Sequence, residues 1–190
     1  MIGTSTEFLK SISDYVIKGI FISILLIIII KLISKNKIET VLSTKIIKWI
    51  IIIYSFGVLV TTILIFIFPT TEKYAFLERA TGPYWWAYWL MVSMNSIIPL
   101  ILLNPTIGRK ISFLLIISLL MNMGWLFESF VVHMTSLDSD FITEDYNPYL
   151  PNNREFNIIF TGFVLGIILI VIENIFKKRQ KTEYRKIEME

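Results

Sequence analysis

The sequence has no cysteine among its 190 residues. That excludes disulfides, cysteine nucleophiles and thiolate-held zinc or iron–sulfur clusters within this chain. It has one histidine, His133, too few for a bis-histidine haem or a two-histidine zinc site. No glycine-rich phosphate loop and no serine–histidine–acid set is present. Charge is scarce as well. Asp, Glu, Lys and Arg make up 17% of the residues, against about 25% in a typical soluble domain. The net charge is only +3, so nothing in the overall charge supports nucleic-acid binding. What remains is apolar: 55% of the chain is hydrophobic and the mean hydropathy is +0.68. With 14 Phe, 5 Trp and 8 Tyr, it is too aromatic for a disordered chain. It is also too apolar to hide its own surface in one water-soluble core. A soluble enzyme is excluded on that ground, and an all-α integral membrane bundle is expected.

A bilayer core of about 30 Å needs roughly 20 mostly apolar residues per helix. Five segments meet that requirement: Tyr15–Ile33, Ile46–Phe68, Pro83–Leu103, Ile111–Met134 and Phe156–Phe176. They are too long for barrel strands and lack period-2 alternation, so helices are the reading. Pro69 and Asn104-Pro105 stop the second and third. Pro83 opens the third, where the missing N–H costs nothing. Pro99, inside that helix, predicts a kink near its end. The N-terminal region does not read as a secretory signal. Glu7 and Asp14 dilute its positive charge, and Ser34-Lys35-Asn36-Lys37 follows the apolar run in place of a small-residue cleavage site. The first helix is therefore expected to stay in the mature protein.

Lys and Arg set the orientation. The first loop region, the third loop and the tail 177–190 carry 13 of the 18 basic residues, and with five spans these three lie on one side. That side is read as cytoplasmic, with the N-terminus outside. An outside N-terminus without a signal fits a chain whose upstream helices belong to another polypeptide or have been lost. The outer loop 135–155 holds Asp138, Asp140, Glu144, Asp145 and Glu155 against one Arg154. It reads either as a solvated periplasmic cap or as a docking surface for a partner.

Several side chains could carry chemistry. Tyr84, Trp85, Trp86 and Tyr88 crowd the entry of the third helix. They form either an interfacial aromatic belt or one wall for a flat apolar ligand such as a quinone ring. Asn95, flanked by Ser93 and Ser96, is either interhelical glue or part of a polar route. Glu128 gives the strongest single signal. An intramembrane carboxylate costs about 2.5–3.5 kcal/mol on insertion scales, so its presence suggests a function. His133 follows five residues later, and Asp138 and Asp140 lie at the mouth. Together they could make a proton exit, with water bridging the Glu128–His133 gap, because an i to i+5 spacing does not share one helix face. The alternative is a neutral, hydrogen-bonded Glu128 and an interfacial His133. Gly162 and Gly166 form a small-xxx-small pattern that permits close helix packing. Glu173, near the cytoplasmic end, is expected to snorkel or pair with Lys177, and the tail to be a solvated end with a basic membrane-edge cluster.

Four ordered stretches carry a family resemblance. Phe76-Leu77-Glu78-Arg79-Ala80-Thr81-Gly82-Pro83-Tyr84-Trp85-Trp86-Ala87-Tyr88-Trp89 resembles the segment before a late helix in NrfD-like membrane subunits (the polysulfide reductase NrfD family). The closest variant is the NrfD-like subunit of alternative complex III. Asn95-Ser96-Ile97-Ile98-Pro99 resembles that family's Asn-Val-Ile-Ser-Pro. Asn122-Met123-Gly124-Trp125-Leu126-Phe127-Glu128 resembles its Asn-Ile-Gly-Met-Trp-Phe-Glu. Thr135-Ser136-Leu137-Asp138-Ser139-Asp140-Phe141 resembles its Thr-Ser-Leu-His-Arg-Asp-Phe.

The resemblance implies the C-terminal half of a subunit of a respiratory quinol:electron-acceptor oxidoreductase in a bacterial inner membrane. It implies menaquinol as the substrate of the complex, no cofactor bound by this chain, and as partners an iron–sulfur subunit and other membrane subunits. Glu128 and Asp140 are the proton-route residues it transfers. Two positions depart from the pattern: Ser129 stands where the family has Arg, and Asp138-Ser139 where it has His-Arg. They point to the alternatives, a structural membrane subunit whose chemistry has lapsed or one fragment of a split NrfD-like protein. A small independent transporter is a further rival.

Overall fold

Long runs of Ile, Leu, Val and Phe with few breakers have one way to satisfy their backbone in an apolar solvent, which is to bond within each segment as helices. The computed structural model describes residues 8–9, 11–35, 40–68, 80–83, 85–138 and 153–187, and only the backbone of 14, 125–138, 153–156 and 180–187. Among the described residues it is helical and has no strand. The helices are α1 (Lys18–Ile33, entered through a π turn at Ser13–Ile17), α2 (Val41–Ile67), α3 (Trp85–Val92), α4 (Ile111–Asp138) and α5 (Asn153–Ile187). α3 continues into a π turn at Ser93–Ile97 and a 3-10 stretch at Ile98–Leu103.

Four segments are long and apolar enough to cross a membrane: Tyr15–Ile33, Val41–Ile67, Trp85–Leu103 and Asn157–Arg179. α4 holds a shorter apolar run, Ile111–Gly124, within its 28 residues. Between 22 and 39% of each of the four windows is buried inside the protein. The rest turns apolar groups such as Ile53, Phe56, Phe163 and Ile167 outward. Exposed to water, that area would cost about 25 cal/mol per Å², whereas in lipid it is matched. The chain has the build of a multi-pass membrane protein.

Helix limits differ from those expected. α2 begins at Val41, five residues before Ile46, which shortens the first loop. α4 runs on to Asp138 and α5 starts at Asn153, both taking residues from the expected outer loop. α5 also continues to Ile187, where a solvated end was expected from residue 177. Its 35 residues give a length of about 52 Å, more than a bilayer core of about 30 Å can hold. α2 ends as a helix before proline should, with Phe68 turned extended (φ −93°, ψ 135°) ahead of Pro69.

α1 lies along α5 and also touches α4; α2 packs on the 93–103 part of the third helix; α3 packs on α4. Ile20, Ile24 and Ile27 of α1 recur at three- and four-residue spacing and meet Ile47 and Ile51 of α2 and Leu114 of α4 in one core. The α1–α5 crossing is backbone on backbone. A Cβ built on Gly162 would lie 2.6 Å from the Gly19 carbonyl oxygen, and one on Gly19 would lie 2.9 Å from the Gly162 nitrogen. Gly166 faces Ser23 in the same way. The close packing expected of Gly162 and Gly166 is present, and its counterpart is a second small-xxx-small pair, Gly19 and Ser23. Ser23 Oγ donates across the crossing to the Gly162 carbonyl (2.7 Å).

Two contacts bring one set of helix ends together. Glu173 of α5 meets the first turn of α2. The side chain of Lys48 in α2 lies against Gly108 in the loop between the third helix and α4. The start of α2, the 104–110 loop and the later part of α5 therefore share one end of the bundle.

Candidate functional site: an intramembrane polar seam

The third helix changes its hydrogen bonding at the proline. Pro99 is fully buried and has no N–H to give to the carbonyl of Asn95. Ahead of it the ladder widens, with the Ile98 N–H reaching Ser93 O. Behind it the ladder tightens to 3-10 as far as the Asn104 N–H bond to Ile101 O (3.1 Å). The kink expected from Pro99 is thus a π turn joined to a 3-10 stretch. Such π turns recur where proteins place function.

Three polar side chains stand on this turn, and each donates back to its own helix. Ser93 Oγ bonds Trp89 O (2.7 Å), Asn95 Nδ2 bonds Met91 O (3.1 Å) and Ser96 Oγ bonds Val92 O (2.6 Å). Among the described residues Asn95 is thus not tied to a neighbouring helix by its amide N–H; it meets α4 by packing. A Cβ built on Gly124 would lie 2.6 Å from Asn95 Nδ2, so glycine at 124 is what lets the amide lie across α4. Below it on α4, Asn122 Nδ2 donates to Ser118 O (2.8 Å), and buried Ser118 donates to Leu115 O (2.9 Å). The amide oxygens of Asn95 and Asn122 accept no hydrogen bond from the described residues. α2 packs on the same π turn, and elsewhere along α2 Ser55 has a fully buried Oγ with no hydrogen-bond partner among the described residues. The meeting of Asn95 with Gly124 therefore offers a half-buried amide oxygen between two helices, apart from the buried hydroxyl of Ser55. A small O–H donor such as water or a hydroquinone hydroxyl matches that chemistry. Ser55 was not picked out from the sequence, although a lone hydroxyl inside an otherwise apolar run marks it.

Glu128, His133 and Asp138 all lie on α4, which runs unbroken from Ile111 to Asp138. Their side chains, and Asp140 and Tyr84 entirely, lie outside the described residues. Along the helix axis, Glu128 stands about 6 Å beyond Gly124 and about 26 Å from Ile111, with His133 and Asp138 about 7 and 15 Å further on. If α4 starts at headgroup depth beside Arg109 and Lys110, Glu128 belongs to the far part of a core of about 30 Å, nearer the mouth than the centre.

Trp85, Trp86 and Trp89 are 55, 47 and 42% exposed, while Ala87 between them is buried. Tyr88 is half-buried and meets the Trp89 ring edge-on, with centroids 6.0 Å apart. Trp89 Nε1 donates to Ala80 O (3.2 Å). An outward tryptophan face with its N–H tied to backbone suits an apolar-to-wet boundary.

Glu173 departs from the sequence reading. It is buried instead of snorkelling, and its carboxylate accepts from the Leu42 N–H (3.2 Å), the Ser43 N–H (2.6 Å) and Ser43 Oγ (2.8 Å). Those N–H groups are in the first turn of α2, which its own N-cap Thr40 leaves without a side-chain cap. Glu173 thus caps α2 from another helix. Lys18 is buried as well and is engaged in an interaction. Among the described residues no three His, Asp or Glu gather as metal ligands.

No family model, curated protein or solved structure matches the chain. The class defined by fold and site is that of a multi-pass helical membrane protein with polar side chains where its third and fourth helices meet.

Proposed function

We propose that this chain is a half-length NrfD-like membrane subunit of a respiratory quinol:electron-acceptor oxidoreductase. In this reading all five helices span a bacterial inner membrane, with the N-terminus outside and the C-terminus cytoplasmic. The observation that supports it most is the meeting of Asn95 with Gly124. Those residues belong to two of the four stretches that resemble the family, and the fold packs one on the other beside buried, hydrogen-bonding oxygens. The sequence has no ligand set for haem or iron–sulfur clusters, so electrons pass through partner subunits. This chain supplies scaffold, a wall of the quinol side from Trp85, Trp86 and Tyr88, and a proton route along α4 through Glu128 toward His133, Asp138 and Asp140. The second reading, a structural subunit whose chemistry has lapsed, is favoured by Ser129 and Asp138-Ser139, which replace basic residues of the family pattern.

Purification in mild detergent tests the proposal. The chain should elute with an iron–sulfur protein and further membrane subunits, identified by mass spectrometry, and the assembly should oxidise menaquinol. Elution alone in monodisperse form, as for a small transporter, would contradict it. Within such an assembly, Glu128→Gln should lower quinol turnover and proton release by 10-fold or more, the scale of a lost acid–base group being about 10²–10⁴. Unchanged rates would favour the structural subunit.

A further inference from the structure

Among the described residues, the end of the bundle where α2 begins has several cations and a single carboxylate. α2 contains no Asp or Glu, and from the start of α3 to Phe127 there is none either. Among side chains the structure describes, Glu173 is the one carboxylate, and the first turn of α2 occupies it. Three basic groups are gathered there. The Lys48 side chain crosses the 104–110 loop so closely that a Cβ on Gly108 would lie 2.9 Å from its Cε and Nζ, and would also clash with the Leu102 carbonyl. Arg109 and Lys110 follow in the chain, both exposed. The loop is held compact by Thr106 N–H on Asn104 Oδ1 (2.9 Å) and Gly108 N–H on Asn104 O (2.9 Å), so these cations have a fixed platform. Lys110 Nζ stands 5.8 Å from the centre of the Phe113 ring, which draws it back over α4. Lys48 and Arg109 have no hydrogen-bonding or ion-pair partner among the described residues. Half-exposed Trp49, next to Lys48, suits headgroup depth.

We infer that Lys48, Arg109 and Lys110 form a binding site for the phosphate of an anionic phospholipid at the end of the bundle where α2 begins. Basic pockets between membrane helices take such headgroups, and juxtamembrane basic residues are drawn to anionic leaflets. The inference rests on the membrane-spanning reading and is independent of the quinol reading.

The full chain is reconstituted in phosphatidylcholine vesicles doped with spin-labelled phosphatidylglycerol or spin-labelled phosphatidylcholine, and lipid held at the protein surface is measured by electron spin resonance. Resistance to carbonate extraction checks insertion separately; failure there would sink the membrane-spanning reading itself. Phosphatidylglycerol should be preferred by about fivefold or more, each basic residue near an anionic surface being worth roughly that factor. Lys48→Gln/Arg109→Gln/Lys110→Gln should bring the preference to within about twofold of unity. Lys177→Gln/Lys178→Gln/Arg179→Gln should leave most of it, and excess inorganic phosphate should not displace the lipid. No preference in the inserted native protein, an unaffected Lys48/Arg109/Lys110 variant, or equal loss in the tail variant would overturn the inference. Displacement by inorganic phosphate would mark the site as one for free anions and overturn it too.

Discussion

Gly162→Leu should abolish packing of the helix pair α1–α5, giving far more aggregated protein in detergent than the native sequence gives under the same conditions. A Cβ at 162 meets the Gly19 carbonyl oxygen at 2.6 Å and Ile22 Cβ at 2.8 Å. One of these is backbone and cannot rotate away, so the helices must separate. Separation also breaks the bond from Ser23 Oγ to Gly162 O and opens the contact of Gly166 with Ser23. Overpacking a tight site costs about 1–3 kcal/mol, more when backbone must move. Leucine, with four more side-chain carbons, belongs at or beyond the upper end. Gly162→Ala should already lower the thermal midpoint, although alanine favours helix over glycine by about 1 kcal/mol. Gly57→Ala in α2 is the contrast. There, among the described residues, the Cβ meets only the flexible end of Leu9, at 3.2 Å, so the propensity gain should appear as an unchanged or raised midpoint. Equal behaviour of the two alanine variants would refute the close crossing.

Glu173→Ala should destabilise the protein by about 2–4 kcal/mol, as two first-turn N–H groups and a hydroxyl lose a charged acceptor in a buried place. Ser43 Oγ has a second acceptor in Leu169 O (3.1 Å); the N–H groups of Leu42 and Ser43 have none to fall back on within α2, because a first turn has no preceding carbonyls. Glu173→Gln should cost roughly half as much, since the amide keeps one acceptor oxygen while its NH₂ faces donors. Thermal unfolding followed by circular dichroism measures the loss. Hydrogen exchange should localise it, with faster exchange at Leu42 and Ser43 than in the middle of α2. A Glu173→Ala variant within about 0.5 kcal/mol of the native protein, the usual range for an unimportant surface change, would show that the cap contributes nothing.

Features that depend on neighbours in the chain were legible in the sequence. Tyr15–Ile33 is both the expected and the observed first span, because an uninterrupted apolar run can only be helix in lipid. Pro69, Pro99 and Asn104-Pro105 act through their own missing N–H or their effect on the preceding residue: α2 ends ahead of Pro69, the third helix changes its hydrogen bonding around Pro99, and it stops at Asn104. Gly162 and Gly166 showed one half of a crossing. The other half, Gly19 and Ser23, has the same spacing but sits beside Lys18, where the polar neighbour masked it. Glu173 could not be placed from sequence. Its i+4 neighbour Lys177 suggests a local pair, whereas its partners, Leu42 and Ser43, lie about 130 positions away. Ser55 likewise matters only because α2 packs it inward. Local rules thus set the helices, and the long-range contacts decide which polar groups are buried and which are left wanting a partner.

The chain's lack of cysteine makes its crossing of the membrane directly measurable. Single cysteines at Lys35, Thr81, Arg109, Asp138 and Arg179 would each be labelled from one face of intact membranes with an impermeant maleimide. The account predicts that positions 35, 109 and 179 react from the cytoplasmic face and positions 81 and 138 from the opposite face, with α4 as a full span joining Arg109 to Asp138. Labelling of 109 and 138 from the same face would contradict it, for α4 would then not cross, and no proton could follow it from one side to the other.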